Sequence, residues 1–246
     1  MKDSLSPIIT LDKLKFSWSE PDISLLKIDH LQIMSGERVF LRGPSGSGKS
    51  TLLSLIAGVL VAQSGSIEIL GAPLESMSSA ARDRFRANHI GIIFQQFNLI
   101  PYLSVVENVT LPCHFSRQRR QNATVRSGSL RDEALRLLNH LDMADTSVIN
   151  KPVNELSVGQ QQRVAAARAL IGSPEILIAD EPTSSMDADR RQAFINLLFQ
   201  ECHESGSTLL FVSHDQRLQE PFDRSIELDQ LNDAAANKLP RFQEVS

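Results

Sequence analysis

Cysteine is nearly absent. Cys113 and Cys202 stand far apart, in neither a C-x-x-C pair nor a spaced framework, and read as reduced thiols of a cytosolic protein. There is no basic excess either. With 25 lysines and arginines against 29 acidic residues the formal net charge is -4, which leaves no electropositive footprint and weighs against nucleic acid as the main partner. Long apolar runs are missing as well. The longest, residues 52–62, is interrupted by Ser54 and Gly58 and is too short to span a bilayer. The start Met1-Lys2-Asp3-Ser4, leading to Pro7, carries no secretory signal, and no segment repeats. The expectation is a chain that does not cross a membrane but can dock onto one that does.

What is present is ordinary for a globular protein. The 246 residues are 41% hydrophobic and 22% charged, enough for a sizeable core in one large domain or a domain with a subdomain. Ile9-Thr10-Leu11-Asp12 and Ser66-Ile67-Glu68-Ile69-Leu70 alternate as half-buried strands, the second between Gly65 and Gly71. Val39-Phe40-Leu41 is a continuous apolar run that leads into glycines and then a helical pattern. Ile90-Gly91-Ile92-Ile93-Phe94, Ile176-Leu177-Ile178-Ala179 and Leu209-Leu210-Phe211-Val212 are similar runs, ending on Gln95, Asp180 and Ser213-His214. Buried parallel strands have this composition, and ligands gather at their carboxyl ends. Four such runs delivering polar groups to one edge imply an α/β core. From Gln96 to Gln162 the pattern turns helical, as in residues 130–141, where leucines recur at helical spacing. Residues 114–131, with five arginines and no acid, read as a solvated loop before that helix. Residues after Asn232 read as a frayed end.

Gly43-Pro44-Ser45-Gly46-Ser47-Gly48-Lys49-Ser50 fits G-x-x-x-x-G-K-[ST], the phosphate-binding P-loop. Its glycines let backbone N–H groups turn inward around phosphate oxygens, and the following helix points its positive dipole end at the same place. Lys49 neutralises the β- and γ-phosphates, and Ser50 is placed to ligate Mg²⁺. Asp180, at the end of an apolar strand, can hold Mg²⁺ through water. Glu181 follows where a carboxylate can polarise an attacking water as general base.

Leu156-Ser157-Val158-Gly159-Gln160 resembles the L-S-G-G-Q signature of ABC ATPases, which other P-loop families lack. Gln95, Ser185-Met186-Asp187 and His214 fall at that family's Q-loop, D-loop and H-loop positions, in order, and the resemblance spans residues 8–228. It implies an α/β fold with a P-loop NTPase (RecA-like) core, an antiparallel β subdomain and an α-helical insertion. The division expected is 1–95 for the first part of the core, 96–162 for the helical subdomain, 163–230 for the second part of the core and 231–246 for a tail. It also implies ATP and Mg²⁺ as cofactors, with Glu181, His214 and Gln95 catalytic and Ser50, Gln95 and Asp180 at the metal. Nucleotide contacts fall to residues 43–48, Lys49, Ser50, Thr51, Ser157, Gly159, Gln160 and Asp187. The family places an aromatic adenine platform near the amino terminus, where Phe16-Ser17-Trp18 stands; the larger face of Trp18 suits a base better. Val158 departs from the usual glycine. A side chain there requires negative φ and crowds the phosphate slightly, while Ser157 and Gly159 are retained, so activity is expected to survive.

Ser157-Val158-Gly159 opens a helix and forms a second anion-binding cap. The helical insertion separates that cap from the chain's own P-loop, whereas a two-fold dimer presents each cap to its partner's ATP. The resemblance accordingly implies as partners a second copy, in an ATP sandwich, and a transmembrane permease, at the cytoplasmic face of the inner membrane. Very long coiled coils, as in genome-maintenance members, are missing, and only one cassette occurs, unlike translation-factor members. The chain ends about thirty residues beyond His214, leaving no room for the regulatory domain of sugar importers. Residues 94–101 and Val106-Glu107-Asn108-Val109 are similar to cassettes of lipoprotein-releasing and macrolide-export transporters, with a compact amino-acid importer as the alternative. The apolar set Phe97, Leu99, Ile100, Tyr102 and Leu103 is expected partly to pack the insertion and partly to line a groove for a permease helix.

Overall fold

A computed structural model describes residues 6–18, 24–143, 147–184 and 186–236. In chain order its elements are β1 (Pro7–Phe16), β2 (Leu26–Met34), β3 (Arg38–Arg42), α1 (Lys49–Ile56), β4 (Ser64–Ile69), β5 (Ala72–Pro73), α2 (Ser79–His89) and β6 (Ile90–Ile93). There follow α3 (Val105–Thr110), α4 (Pro112–Phe115), α5 (Arg117–Ser127), α6 (Leu130–His140), α7 (Val158–Leu170) and β7 (Ile176–Asp180). The described chain closes with α8 (Ala188–Ser205), β8 (Thr208–Val212), β9 (Arg224–Glu227), α9 (Leu228–Leu231) and α10 (Asp233–Ala236).

Two sheets divide these strands. One is antiparallel, in the order β2-β1-β4-β5; the other is parallel, in the order β6-β7-β8-β3-β9. Along β1, with Ile8 buried beside them, the inward residues run Ile9, Leu11, then Leu14 and Phe16, a change of parity that strict alternation forbids. Lys13, at φ 49, absorbs it, and the register with β4 shifts between Asp12 and Lys15. This bulge keeps all four side chains on the core face. Gly65 of β4 lies directly on it, where a Cβ would stand 2.4 Å from the Lys13 carbonyl oxygen.

β3, β7 and β8 are buried on both faces, which is why they read as continuous apolar runs. The carboxyl ends of the parallel strands lie together, so the four apolar runs deliver the P-loop, Gln95, Asp180 and His214 to one edge, as the α/β core expected of the sequence. β2, the short β5 and β9 are additions to that reading. β2 did carry a signal: Leu26, Ile28, Leu31 and Ile33 are its buried residues.

The helical insertion packs Val105, Val109, Cys113, Ala123, Ala134, Leu137 and Leu138 into one cluster with the outer face of the parallel sheet. α6 forms where leucine spacing predicts it, with the Ser129 side chain accepting from Asp132 N–H as N-cap. The loop expected over residues 114–131 is instead mostly helix: α5 occupies its middle. Its Arg119 is 3% exposed and donates to the carbonyls of Arg168, Ala169 and Ile171 at the carboxyl end of α7. A count of arginines cannot distinguish a guanidinium in water from one that satisfies orphan helix carbonyls. The frayed end also needs correcting. Asn232 accepts from Lys27 N–H at 2.7 Å and donates to the Leu25 carbonyl at 2.9 Å, which docks α10 onto β2. The rest of the predicted tail, residues 237–246, lies outside the described residues. No described helix is long and apolar enough to cross a membrane.

Candidate functional site

β3 ends at Arg42 and α1 begins at Lys49, so the six residues between them form the turn at the sheet edge. Gly46 and Gly48 have φ of +79° and +103°, a region that side chains resist. A Cβ on Gly48 would also meet the Leu26 side chain at 2.8 Å. Lys49 reaches back across the turn, its Nζ donating to the carbonyls of Gly43 at 2.7 Å and Pro44 at 2.9 Å. The Ser47 hydroxyl is buried without a protein partner. A cleft of about 440 Å³ opens here, lined by Leu25, Ser45, Gly46, Gly48, Lys49, Ser50, Thr51, Gln95, Asp180, Glu181 and His214. Among these Leu25, from the loop before β2, was not anticipated; a lone leucine gives no chemical signal.

Ser50 Oγ donates to Asp180 Oδ2 at 3.1 Å, so the predicted pair of metal-side residues is in contact. Burial, with the Glu181 charge beside it, raises the Asp180 carboxyl above its ordinary value despite the Ser50 hydrogen bond and Lys49. A carboxylate short of positive charge next to a hydroxyl is a fitting donor set for a small hard cation. Glu181 has φ 48°, an uncommon conformation for a residue with a Cβ. Its N–H donates to the Val212 carbonyl at 3.0 Å, and both its carboxylate oxygens lie 3.0 Å from His214 Nδ1. The general-base and H-loop candidates therefore touch. Beyond them, Asp215 accepts from Arg191, whose other nitrogen donates to the Met186 carbonyl at 2.8 Å, so the H-loop is joined to the residue before Asp187. Ser185, predicted with them, lies outside the described residues.

The remaining predicted contacts gather elsewhere. A second cleft, of about 630 Å³, is lined by Ser157, Val158, Gly159, Gln160, Gln162, Arg163, Met186 and Asp187, with Asp142 and Arg190. It shares no lining residue with the first. Ser157 caps α7 in a reciprocal box: its Oγ accepts from Gln160 N–H, and Gln160 Oε1 accepts from Ser157 N–H at 2.9 Å. Asp187 caps α8 in one direction, its side chain accepting from Arg190 N–H at 2.9 Å. Below them Gln162 is fully buried with both ends of its amide unpartnered by protein. Val158 is the first residue of α7 and is 54% exposed, so its side chain stands free at the mouth of this cleft.

Phe16 and Trp18 separate clearly. Phe16 is 7% exposed in the core, whereas Trp18 is 65% exposed beyond the end of β1, its ring edge-on to Phe16 at 5.2 Å. The five apolar residues after Gln95 also divide. Leu99 packs on the core and Tyr102 is 80% exposed. A groove of about 450 Å³ lies beside them, walled by Ile92, Phe94, Asn98, Pro112 and Phe115, with Asp83 and Arg86 at its rim. None of the five residues expected to line a groove, Phe97, Leu99, Ile100, Tyr102 and Leu103, is among its lining residues.

A model of the ABC transporter family matches residues 26–184. An ABC transporter ATP-binding protein of Escherichia coli K12, YbbA, is 40% identical over 209 residues, covering 85% of this chain and 88% of that protein. The lipoprotein-releasing system ATP-binding protein LolD 2 of Rhodospirillum rubrum is 37% identical over 224 residues, covering 90% and 94%. Among solved structures, the ATP-binding cassette MJ0796, a dimer bound to ADP and Pi in a post-hydrolysis state, is 34% identical with a TM-score of 0.78, covering 92% of this chain and 95% of that one. With a strand edge that carries a P-loop, an Asp-Glu pair and a histidine, and a capped signature helix facing a second cleft, the chain belongs to the ABC transporter family, as one of its ATP-binding and ATP-hydrolysing cassettes.

Proposed function

We propose that two copies of this chain close head to tail over two ATP molecules and so drive a separate transmembrane permease of the lipoprotein-releasing or macrolide-export type, from the cytoplasmic face of the inner membrane. The observation that carries this is the division of the site. Lys49, Ser50, Gln95, Asp180, Glu181 and His214 line one cleft, while Ser157, Gly159, Gln160 and Asp187 line another. A nucleotide in the first cleft of one copy lies within reach of the second set only if a partner presents it, and an isologous two-fold interface presents both at once. Asp180, with Ser50 and Gln95, would hold Mg²⁺, which when bound supplies charge neutralisation between the phosphates. Glu181 would orient and deprotonate the attacking water, with His214 holding the Glu181 carboxylate in place until the γ-phosphate offers the imidazole a second acceptor. Trp18 would stack on adenine. The similarity to LolD 2 supports the permease type, and the groove bounded by Phe94 and Phe115 suits an amphipathic permease helix.

One experiment tests both halves. Glu181→Gln should bind ATP without hydrolysing it and elute as a dimer in ATP and Mg²⁺. Adding Phe115→Asp to that variant should leave the trapped dimer intact while abolishing co-purification of the permease encoded with it. A Glu181→Gln chain that turns over normally, or stays monomeric with ATP, would remove the sandwich reading; undiminished co-purification would remove the groove.

A further inference from the structure

The helix that Ser157 caps carries, near its far end, a side chain that grips the loop beyond Gln95. Arg168, in the last turn of α7, donates from Nη1 to the Asn98 carbonyl at 2.7 Å and from Nη2 to the Phe97 carbonyl at 2.5 Å. Phe97 and Asn98 both hold left-handed φ, 60° and 49°. Two consecutive residues rarely persist in that region unless something external fixes them, and here the planar guanidinium does so with both arms. Arg168 is 9% exposed and forms none of the ion pairs found among the described residues. Burial lowers its pKa, and carbonyl oxygens take the place of a counter-charge.

The turn that carries Arg168 is itself immobilised. Arg119 of α5 donates to the Ala169 carbonyl at 2.6 Å and to the Ile171 carbonyl at 2.7 Å. β6 also lies so close that a Cβ on Gly91 would stand 2.2 Å from the same Ala169 oxygen. Arg168 and Arg119 also line the groove walled by Phe94 and Phe115. One buried fork thus touches the groove, the loop that follows Gln95 and the helix that presents Ser157.

We propose that Arg168 is a positioning residue for Gln95: its two hydrogen bonds set the loop after β6 so that the Gln95 amide reaches the metal side of the first cleft, and they make that loop move with α7. The proposal rests on the assignment of Gln95 to the metal made above. Lysine at position 168 keeps the charge but lacks the planar fork whose two arms fix the carbonyls of Phe97 and Asn98 in one relative geometry, so the loop loses its register while the helix keeps its cation.

The test uses four purified full chains: Gln95→Ala, Arg168→Lys, the double variant and the wild type. ATP affinity is measured in the absence of metal, and ATPase activity is titrated with Mg²⁺ at saturating ATP. Metal-free affinity should stay unchanged, because Lys49 and the glycine turn are untouched. In Arg168→Lys the Mg²⁺ concentration for half-maximal activity should rise and kcat should fall, each by roughly tenfold, the size of a coupling between residues in one network. The double variant should be no worse than Gln95→Ala alone. A thermal melt accompanies each chain. If Arg168→Lys lowers the melting temperature but leaves the metal titration unchanged, Arg168 is structural only and the proposal fails. It also fails if the two effects multiply in the double variant. If Gln95→Ala itself leaves the metal titration unchanged, the assignment of Gln95 falls, and the positioning role with it.

Discussion

Trp18→Ala separates nucleotide affinity from fold stability, because the ring contributes little to the core. It is 65% exposed, and its recorded ring contact is edge-on to Phe16 at a centroid distance of 5.2 Å. Such a pair contributes about 0.5–1.5 kcal/mol beyond area burial, and this one lies at the surface, so the melting temperature should barely change. Loss of a base-stacking aromatic, by contrast, costs roughly 1–3 kcal/mol, which corresponds to about a 5- to 150-fold rise in the Kd for ATP. Trp18→Phe, which keeps a smaller face, should fall between the two. Trp18 is the only tryptophan, so intrinsic emission in the wild type reports on this position alone and should change as ATP is added. Competition against a fluorescent nucleotide gives the affinities of variants that lack the signal. Unchanged emission together with unchanged affinity in Trp18→Ala would refute the platform. Phe16, 7% exposed in the core, could take its place only by leaving the packing that holds β1.

Mixing a Lys49→Ala subunit with a Ser157→Arg subunit creates a dimer with one intact composite site and one doubly broken site. It should occlude one ATP, measured by trapped nucleotide per dimer, whereas sites complete within each chain would leave none intact. Acid should act through Asp215, whose carboxyl is held down at about 2 by hydrogen bonds from Arg217, aided by the Arg191 charge. A depressed carboxylate stabilises the fold fully above its unfolded value of 3.8 and loses that contribution as the pH falls towards about 2. Asp215→Asn should therefore melt below the wild type near neutral pH, with the gap closing below about pH 4; a gap independent of pH would show that the pairing with Arg191 and Arg217 is not its source.

The lining of the first cleft was legible because many of its residues are contiguous in the chain. A P-loop needs its glycines and Lys49 within eight residues, and Asp180 is the last residue of an apolar strand with Glu181 directly after it, so short windows suffice to find them. Residues 114–131 show where windows fail. Arg119 lies among arginines that do face water, and its burial depends on carbonyl acceptors some fifty residues away at the end of α7. Leu25 and Arg168 are silent for the same reason: one is an ordinary leucine before a strand, the other an ordinary arginine in a helix. The bulge at Lys13 is visible in retrospect as the step from Leu11 to Leu14, but it takes the β4 partner and Gly65 to show that the strand continues through it.

By itself the sequence determined the family, the sheet edge that carries the P-loop, Gln95, Asp180 and His214, and the helical character of the segment between Gln95 and the signature. These follow from local rules, namely side-chain period, glycine conformational freedom and the reach of a lysine or carboxylate from a strand end. Only the tertiary structure decided that Ser157 and Asp187 line a different cleft from Lys49, that Trp18 rather than Phe16 is exposed, and that Arg168 joins the signature helix to the loop after Gln95. Those outcomes depend on which groups distant in the chain pack against one another, and burial and hydrogen-bond satisfaction are properties of that packing, which no single stretch of sequence carries.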